Sequence, residues 1–180
     1  MGTNETTVHL SGHQGAIYDA CWDAESHTWL TAGGDGIVAE WPSDGHGEGR
    51  ALLHHEKAFF SVSSLGTQRA AGTENGELFR WTGNNASIAK RIEAHRNGLF
   101  AMAWMPDGRL LTGGGDERIL MWQGAQLRGE WRIPGAQKIR CIVRQENEVF
   151  IGTTQGKGHL FALNSSGDSI EQVAETAGHS

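Results

Sequence analysis

Three phrases recur along this chain at a period near forty residues, and that recurrence constrains the fold more than any other feature. Trp41, Trp81 and Trp122 close "GGDGIVAEW", "TENGELFRW" and "GGDERILMW", at spacings of 40 and 41 residues. His13, His55 and His95 open "GHQGAIYDACW", "HHEKAFFSVSS" and "AHRNGLFAMAW", at spacings of 42 and 40. Ahead of each tryptophan, at one fixed distance, stands Asp35, Asn75 or Asp116. Independent markers sharing one period indicate a stacked array whose units bury their apolar faces against one another.

Each unit reads as four short strands. In the first they fall at residues 16–22, 28–32, 37–41 and 51–54. Turn chemistry separates them: "GGDG" at 33–36, "ENG" at 74–76 and "PDGR" at 106–109. Gly, Asn and Asp tolerate the positive φ that tight hairpins need. No window holds a sustained 3.6-residue apolar period, so no helix is expected. The fold class is all-β, built from four-stranded antiparallel blades. A fourth unit, "IGTTQGKGHLFAL", lacks the His, the Asp and the Trp. A shift of 120 residues puts Phe161 at the Trp place and pairs Cys21 with Cys141. An insertion in the turn would put Leu163 there instead, and both registers stay open.

With its Gly-His openings and Trp endings the chain resembles the WD-repeat β-propeller family. The closest repeats are 12–41, 54–81 and 94–122, with a degenerate repeat at about 133–163. The Trp-Asp dipeptide itself is absent, since Pro42, Thr82 and Gln123 follow the tryptophans. The resemblance implies blades at about 16–54, 58–92, 98–133 and 138–175. It also implies a hydrogen-bond network inside each blade: His13, Thr31, Asp35 and Trp41 in the first; His55, Asn75 and Trp81 in the second; His95, Thr112, Asp116 and Trp122 in the third. Ala71 replaces the hydroxyl in the second blade, so a shorter network is expected there. A His–Asp pair invites a catalytic reading, yet this one recurs blade after blade, as a structural device does.

Residues 1–180 are read as a single propeller domain and as part of a ring of about seven blades. Residues 7–10 read as a leading strand for ring closure, and residues 178–180 as the opening of a fifth repeat. Two half-rings associating through open blade edges is the other possibility.

The formal net charge is −6, which opposes non-specific nucleic-acid binding. One local exception runs from Gln126 to Arg144, where Arg128, Arg132, Lys138, Arg140 and Arg144 outnumber Glu130; it reads as a solvated basic face. No apolar stretch approaches the ~20 residues that span a bilayer. "MGTNETTVHL" shows no basic region followed by an apolar run, so it does not read as a secretory signal. Cys21 and Cys141 sit in apolar runs and read as buried thiols in a reducing cytoplasm. "DGHGEGRALLHHE" mixes histidines and acids, but its spacing matches no standard metal site, and "GGGDE" lacks the Lys-Ser/Thr of a phosphate loop. No cofactor and no metal are expected.

What the resemblance implies is a non-catalytic scaffold that binds a protein or peptide partner through surface loops, without nucleic acid or membrane. The candidate contacts are Tyr18, Phe60 and Phe100, each one position after Ile17, Phe59 or Leu99. The competing reading of these three is core packing between blades. The competing function is a propeller enzyme, or the repeat module of a larger enzyme.

Overall fold

The computed structural model describes residues 10–45, 48–164 and 169–176. The expected leading strand at 7–10 lies outside the described residues except for Leu10, which is in no strand, and residues 178–180 lie outside them too. Four separate four-stranded antiparallel sheets account for all the strands described. The first blade holds β1 (Ile17–Asp23), β2 (Thr28–Gly33), β3 (Ile37–Pro42) and β4 (Arg50–His54). The second holds β5 (Phe59–Leu65), β6 (Gln68–Thr73), β7 (Glu77–Thr82) and β8 (Lys90–Glu93). The third holds β9 (Leu99–Trp104), β10 (Leu110–Gly114), β11 (Arg118–Gln123) and β12 (Gln126–Arg132). The fourth holds β13 (Ile139–Gln145), β14 (Glu148–Thr153), β15 (Gly158–Leu163) and β16 (Ile170–Glu175). The one helical element described is a 3-10 turn, Ala86–Ile88, capped by the Asn85 side chain.

Every sheet is a meander whose first strand is innermost. Those inner strands pack in series, β1 on β5, β5 on β9 and β9 on β13. Among the described residues the sheets do not close into a ring. The core therefore lies between blades. Leu30, Val38, Phe59 and Val62 join the first two. Leu78, Leu99, Leu110 and Leu120 join the second and third. Met121, Ile139, Ile151 and Phe161 join the third and fourth. Fully burying side chains such as Phe59, Leu99 and Ile139 contributes about 1.5–3 kcal/mol each.

Polar ties span the same joints. The Asp19 carboxylate accepts the Val62 N–H at 2.9 Å, and the Ser61 hydroxyl donates to the Leu99 carbonyl at 3.0 Å. Between blades one and two, Arg69 donates to Asp23 at 2.5 Å, with both side chains only 1% exposed. Its guanidinium also reaches the Gly83 carbonyl and the Ser26 hydroxyl, each at 3.0 Å, so this buried pair is fully hydrogen-bonded.

Among the described residues nothing covers the two outward faces of the array. Ile17, Trp22 and Trp29 are exposed on the first blade; Val143, Phe150 and Val173 are exposed on the fourth. The same geometry corrects one expectation. Cys141 is exposed, not buried. It occupies the place that Asp19 and Ser61 take in earlier blades, facing the next blade, and no described blade follows. The fourth register is also settled. Val149 pairs with Phe161 as Trp29 pairs with Trp41, so Phe161 takes the tryptophan's place and Leu163 does not. The turn between β13 and β14 is two residues shorter than that between β1 and β2. Val143 is therefore the counterpart of Cys21, each facing the same β14 or β2 register.

Candidate interaction site

The marker residues meet at the turn between the second and third strands of a blade. In the first blade His13 Nδ1 lies 2.9 Å from Asp35, and Nε2 lies 2.7 Å from the Thr31 hydroxyl. Trp41 donates its indole N–H to the same hydroxyl at 2.7 Å. One directional chain satisfies every group: the indole donates to Thr31, Thr31 donates to Nε2, and Nδ1–H donates to Asp35. Asp35 also accepts backbone N–H from Gln14 and Ile37. Burial pushes the Asp35 carboxyl up, but the Gln14 amide and His13 outweigh it and hold the group below the usual carboxylate range. The third blade repeats the arrangement with His95, Thr112, Asp116 and Trp122. There Arg118 joins, and His95, the Arg96 amide and Arg118 together hold Asp116 well below its ordinary value against burial.

The second blade departs from the expected set. Asn75 makes no hydrogen bond to His55; Nε2 of His55 instead meets Glu77 at 3.2 Å. Its Nδ1 accepts the Lys57 N–H, which leaves the ring proton on Nε2, facing the acid. The reason is a single position. Gly33 and Gly114 end β2 and β10, and a Cβ on either would collide with the blade's histidine. Thr73 stands at that place in the second blade, and its hydroxyl donates to Glu77. With Ala71 in the register of Thr31, the buried Trp81 Nε1 has no partner among the described residues. The fourth blade has Thr153 at the glycine place and no such network.

A second recurrent geometry produces the surface feature. Near the start of each inner strand the pairing skips one residue. Ile17 pairs with Gly33 and Asp19 with Ala32, leaving Tyr18 unpaired. The same bulge leaves Phe60, Phe100 and Arg140 unpaired in the following blades. A bulge re-aims its extra side chain away from the ladder's alternation. The preceding residues Phe59, Leu99 and Ile139 turn inward and are fully buried. The bulge residues turn to one common rim. Tyr18 meets Phe60 edge-on with ring centroids 4.9 Å apart. Phe60 stacks on Phe100 at 5.3 Å and 16°. Arg140 lies over the far face of the row, 4.7 Å from the Phe100 centroid. Together with Asp19 and Met102 they line a pocket of about 350 Å³.

Arg140 completes the row and was absent from the sequence expectation because it breaks the aromatic pattern. Its signal was Ile139, which continues the series Ile17, Phe59, Leu99. The exposed Cys141 thiol also lines the rim pocket, whereas burial pushes the Cys21 thiol up to about 12, which keeps it protonated near neutral pH. Among the described residues no group of three or more His, Cys, Asp or Glu could hold a metal ion, and no helix is long and apolar enough to cross a membrane.

Four-stranded meanders packed around shared inner strands are the blades of a β-propeller. The family model described as WD domain, G-beta repeat matches residues 4–41 and 86–123, so two segments of this chain are WD repeats. Those matched segments end in the two blades that carry the complete Trp–Thr–His–Asp chain. A 77 kDa echinoderm microtubule-associated protein of Lytechinus variegatus is 28% identical over 134 residues, covering 72% of this chain and 19% of the relative. The F-box-like/WD repeat-containing protein TBL1Y of Homo sapiens is 24% identical over 148 residues, covering 73% of this chain and 28% of it. The WD40 β-propeller domain of Doa1 superposes with a TM-score of 0.77 at 17% identity, over 92% of this chain and 56% of that one. The computationally designed Ika4 protein superposes with a TM-score of 0.69 at 20% identity, over 90% of this chain and 99% of that one. The chain thus spans 19% and 28% of the lengths of these two curated relatives.

Proposed function

We propose that this chain is a non-catalytic scaffold which binds a protein or peptide on the rim formed by Tyr18, Phe60, Phe100 and Arg140. The observation that carries this reading is the repeated bulge. Four blades spend an unpaired residue to send four large side chains to one rim, where Tyr18 and Arg140 are exposed and Phe60 and Phe100 half-buried. Aromatic and arginine side chains around a concave site are the residue types that dominate binding energy at interfaces. Relatives whose names include a microtubule-associated protein support a cytoplasmic setting.

Selection from a displayed random-peptide library on the immobilised chain tests the reading. Retained peptides should lose binding to Phe60→Ala and to Phe100→Ala while both variants still fold cooperatively. Peptides that bind both variants as well as wild type, with stability lowered, would make the row core packing and nothing more.

The uncovered faces belong to the same proposal. Trp22 and Trp29 at one end, and Phe150 and Val173 at the other, suit further blades of a larger ring. Sedimentation of the purified chain checks how they are covered. A concentration-independent monomer fits blades supplied elsewhere, and a dimer fits two arrays meeting edge to edge.

A further inference from the structure

Most arginines here already hold a carboxylate: Arg50 pairs with Glu40, Arg69 with Asp23, Arg91 with Glu77, Arg118 with Asp116 and Arg132 with Glu117. Three cations near Phe100 do not. Arg96, Lys138 and Arg140 are exposed and have no ion pair among the described residues. Lys138 Nζ stands 5.5 Å from the Phe100 centroid, and the Arg140 guanidinium 4.7 Å from it. Arg96 and Lys138 line a cleft of about 890 Å³ between the third and fourth blades, beside the rim. In a chain of net charge −6, three adjacent unpaired cations mark a place where negative charge is welcome.

The aromatic row itself argues for an anion. Phe100 already carries two cations, so its ring electrons are committed and an incoming ammonium group would be repelled. A guanidinium stacked on a ring is held in orientation yet keeps N–H edges free for bidentate contact with a carboxylate. The one acid in the rim pocket, Asp19, is engaged by the amides of Ala20 and Val62. A long polyanion is a poorer fit. The chain carries a net charge of −6, so phosphates running beyond the patch would meet repulsion.

We infer that the side of the rim between blades three and four binds an acidic peptide, its carboxylates on Arg96, Lys138 and Arg140 and an apolar side chain on the Phe60–Phe100 stack. This rests on the binding-rim reading above.

Fluorescence polarisation on the folded chain tests it with four probes: a labelled peptide of Asp and Glu around one Trp, its Asn/Gln counterpart, a Lys/Arg counterpart, and single-stranded oligothymidylate. The acidic peptide should bind tightest, and more weakly as salt rises. The double variant Lys138→Ala/Arg140→Ala should lose about tenfold or more in affinity, and Arg128→Ala on the outer strand should lose nothing. Lys138→Gln/Arg140→Gln serves as a second variant should the alanine pair lower stability. The inference is overturned if the Asn/Gln peptide binds equally, if the basic peptide or the oligonucleotide binds tighter, or if no probe binds at millimolar concentration. Library peptides that need Phe60 but show no acidic preference would also overturn it while leaving the binding rim itself standing.

Discussion

His55 meets Glu77 through Nε2 at 3.2 Å, whereas His13 meets Asp35 through Nδ1 at 2.9 Å. Two blades of one chain thus solve the same problem with opposite faces of the imidazole. The choice follows from one residue, glycine at 33 and threonine at 73, which sets whether the histidine can lie against the turn. The complete network should therefore be a property of the first and third blades alone.

Truncating His13→Ala removes the partner of both Thr31 and Asp35. The chain should lose roughly 1–3 kcal/mol, read from the shift in denaturant midpoint at constant slope. His95→Ala should cost at least as much, because the His95 side chain is fully buried.

Ala71→Ser should stabilise the second blade. The new hydroxyl would stand in the register of Thr31 and Thr112 and accept the orphaned Trp81 indole N–H. A gain of about 0.5–1.5 kcal/mol is expected, visible as a raised melting temperature. No gain would mean that the indole is not reachable from that position.

Acid should weaken the fold through Asp35 and Asp116, whose carboxyls both lie below their ordinary value in the folded chain. The unfolded chain then takes up protons first, near pH ~3.9. The stability these groups contribute is complete above that value and is lost as pH falls through their folded values. Asp116→Asn should flatten the acid limb of a stability-against-pH curve. An unchanged limb would remove the role.

Asp23→Ala should be among the most damaging single changes, at about 3–5 kcal/mol, because it leaves the buried Arg69 only the more distant Glu40 carboxylate, at 3.9 Å. The double change Asp23→Leu/Arg69→Met should recover most of that loss. The two effects, measured by chemical denaturation, separate the cost of an unpaired charge from the worth of the pair.

Much of this was legible in the sequence, and the misses share one cause. The period, the turns and the strand alternation are local signals, and they mark out the four meanders. The network of His13, Thr31, Asp35 and Trp41 was expected only through the resemblance to WD-repeat propellers. Glu77 was hidden because its role depends on Thr73 filling space, a three-dimensional exclusion that spacing does not express. Arg140 was hidden because the rim position is defined by a bulge, not by residue type. Cys141 read as buried because the apolar run "IRCIV" says nothing about whether a blade follows.

Tyr18→Ala tests the central claim most directly. Tyr18 is 55% exposed and touches the row edge-on, so its truncation should leave stability within about 0.5 kcal/mol of wild type. If the rim binds a partner, affinity for a library-selected peptide should fall about tenfold or more while the melting temperature holds. Unchanged affinity alongside unchanged stability would contradict the account, since the most exposed aromatic of the row would then serve neither binding nor fold.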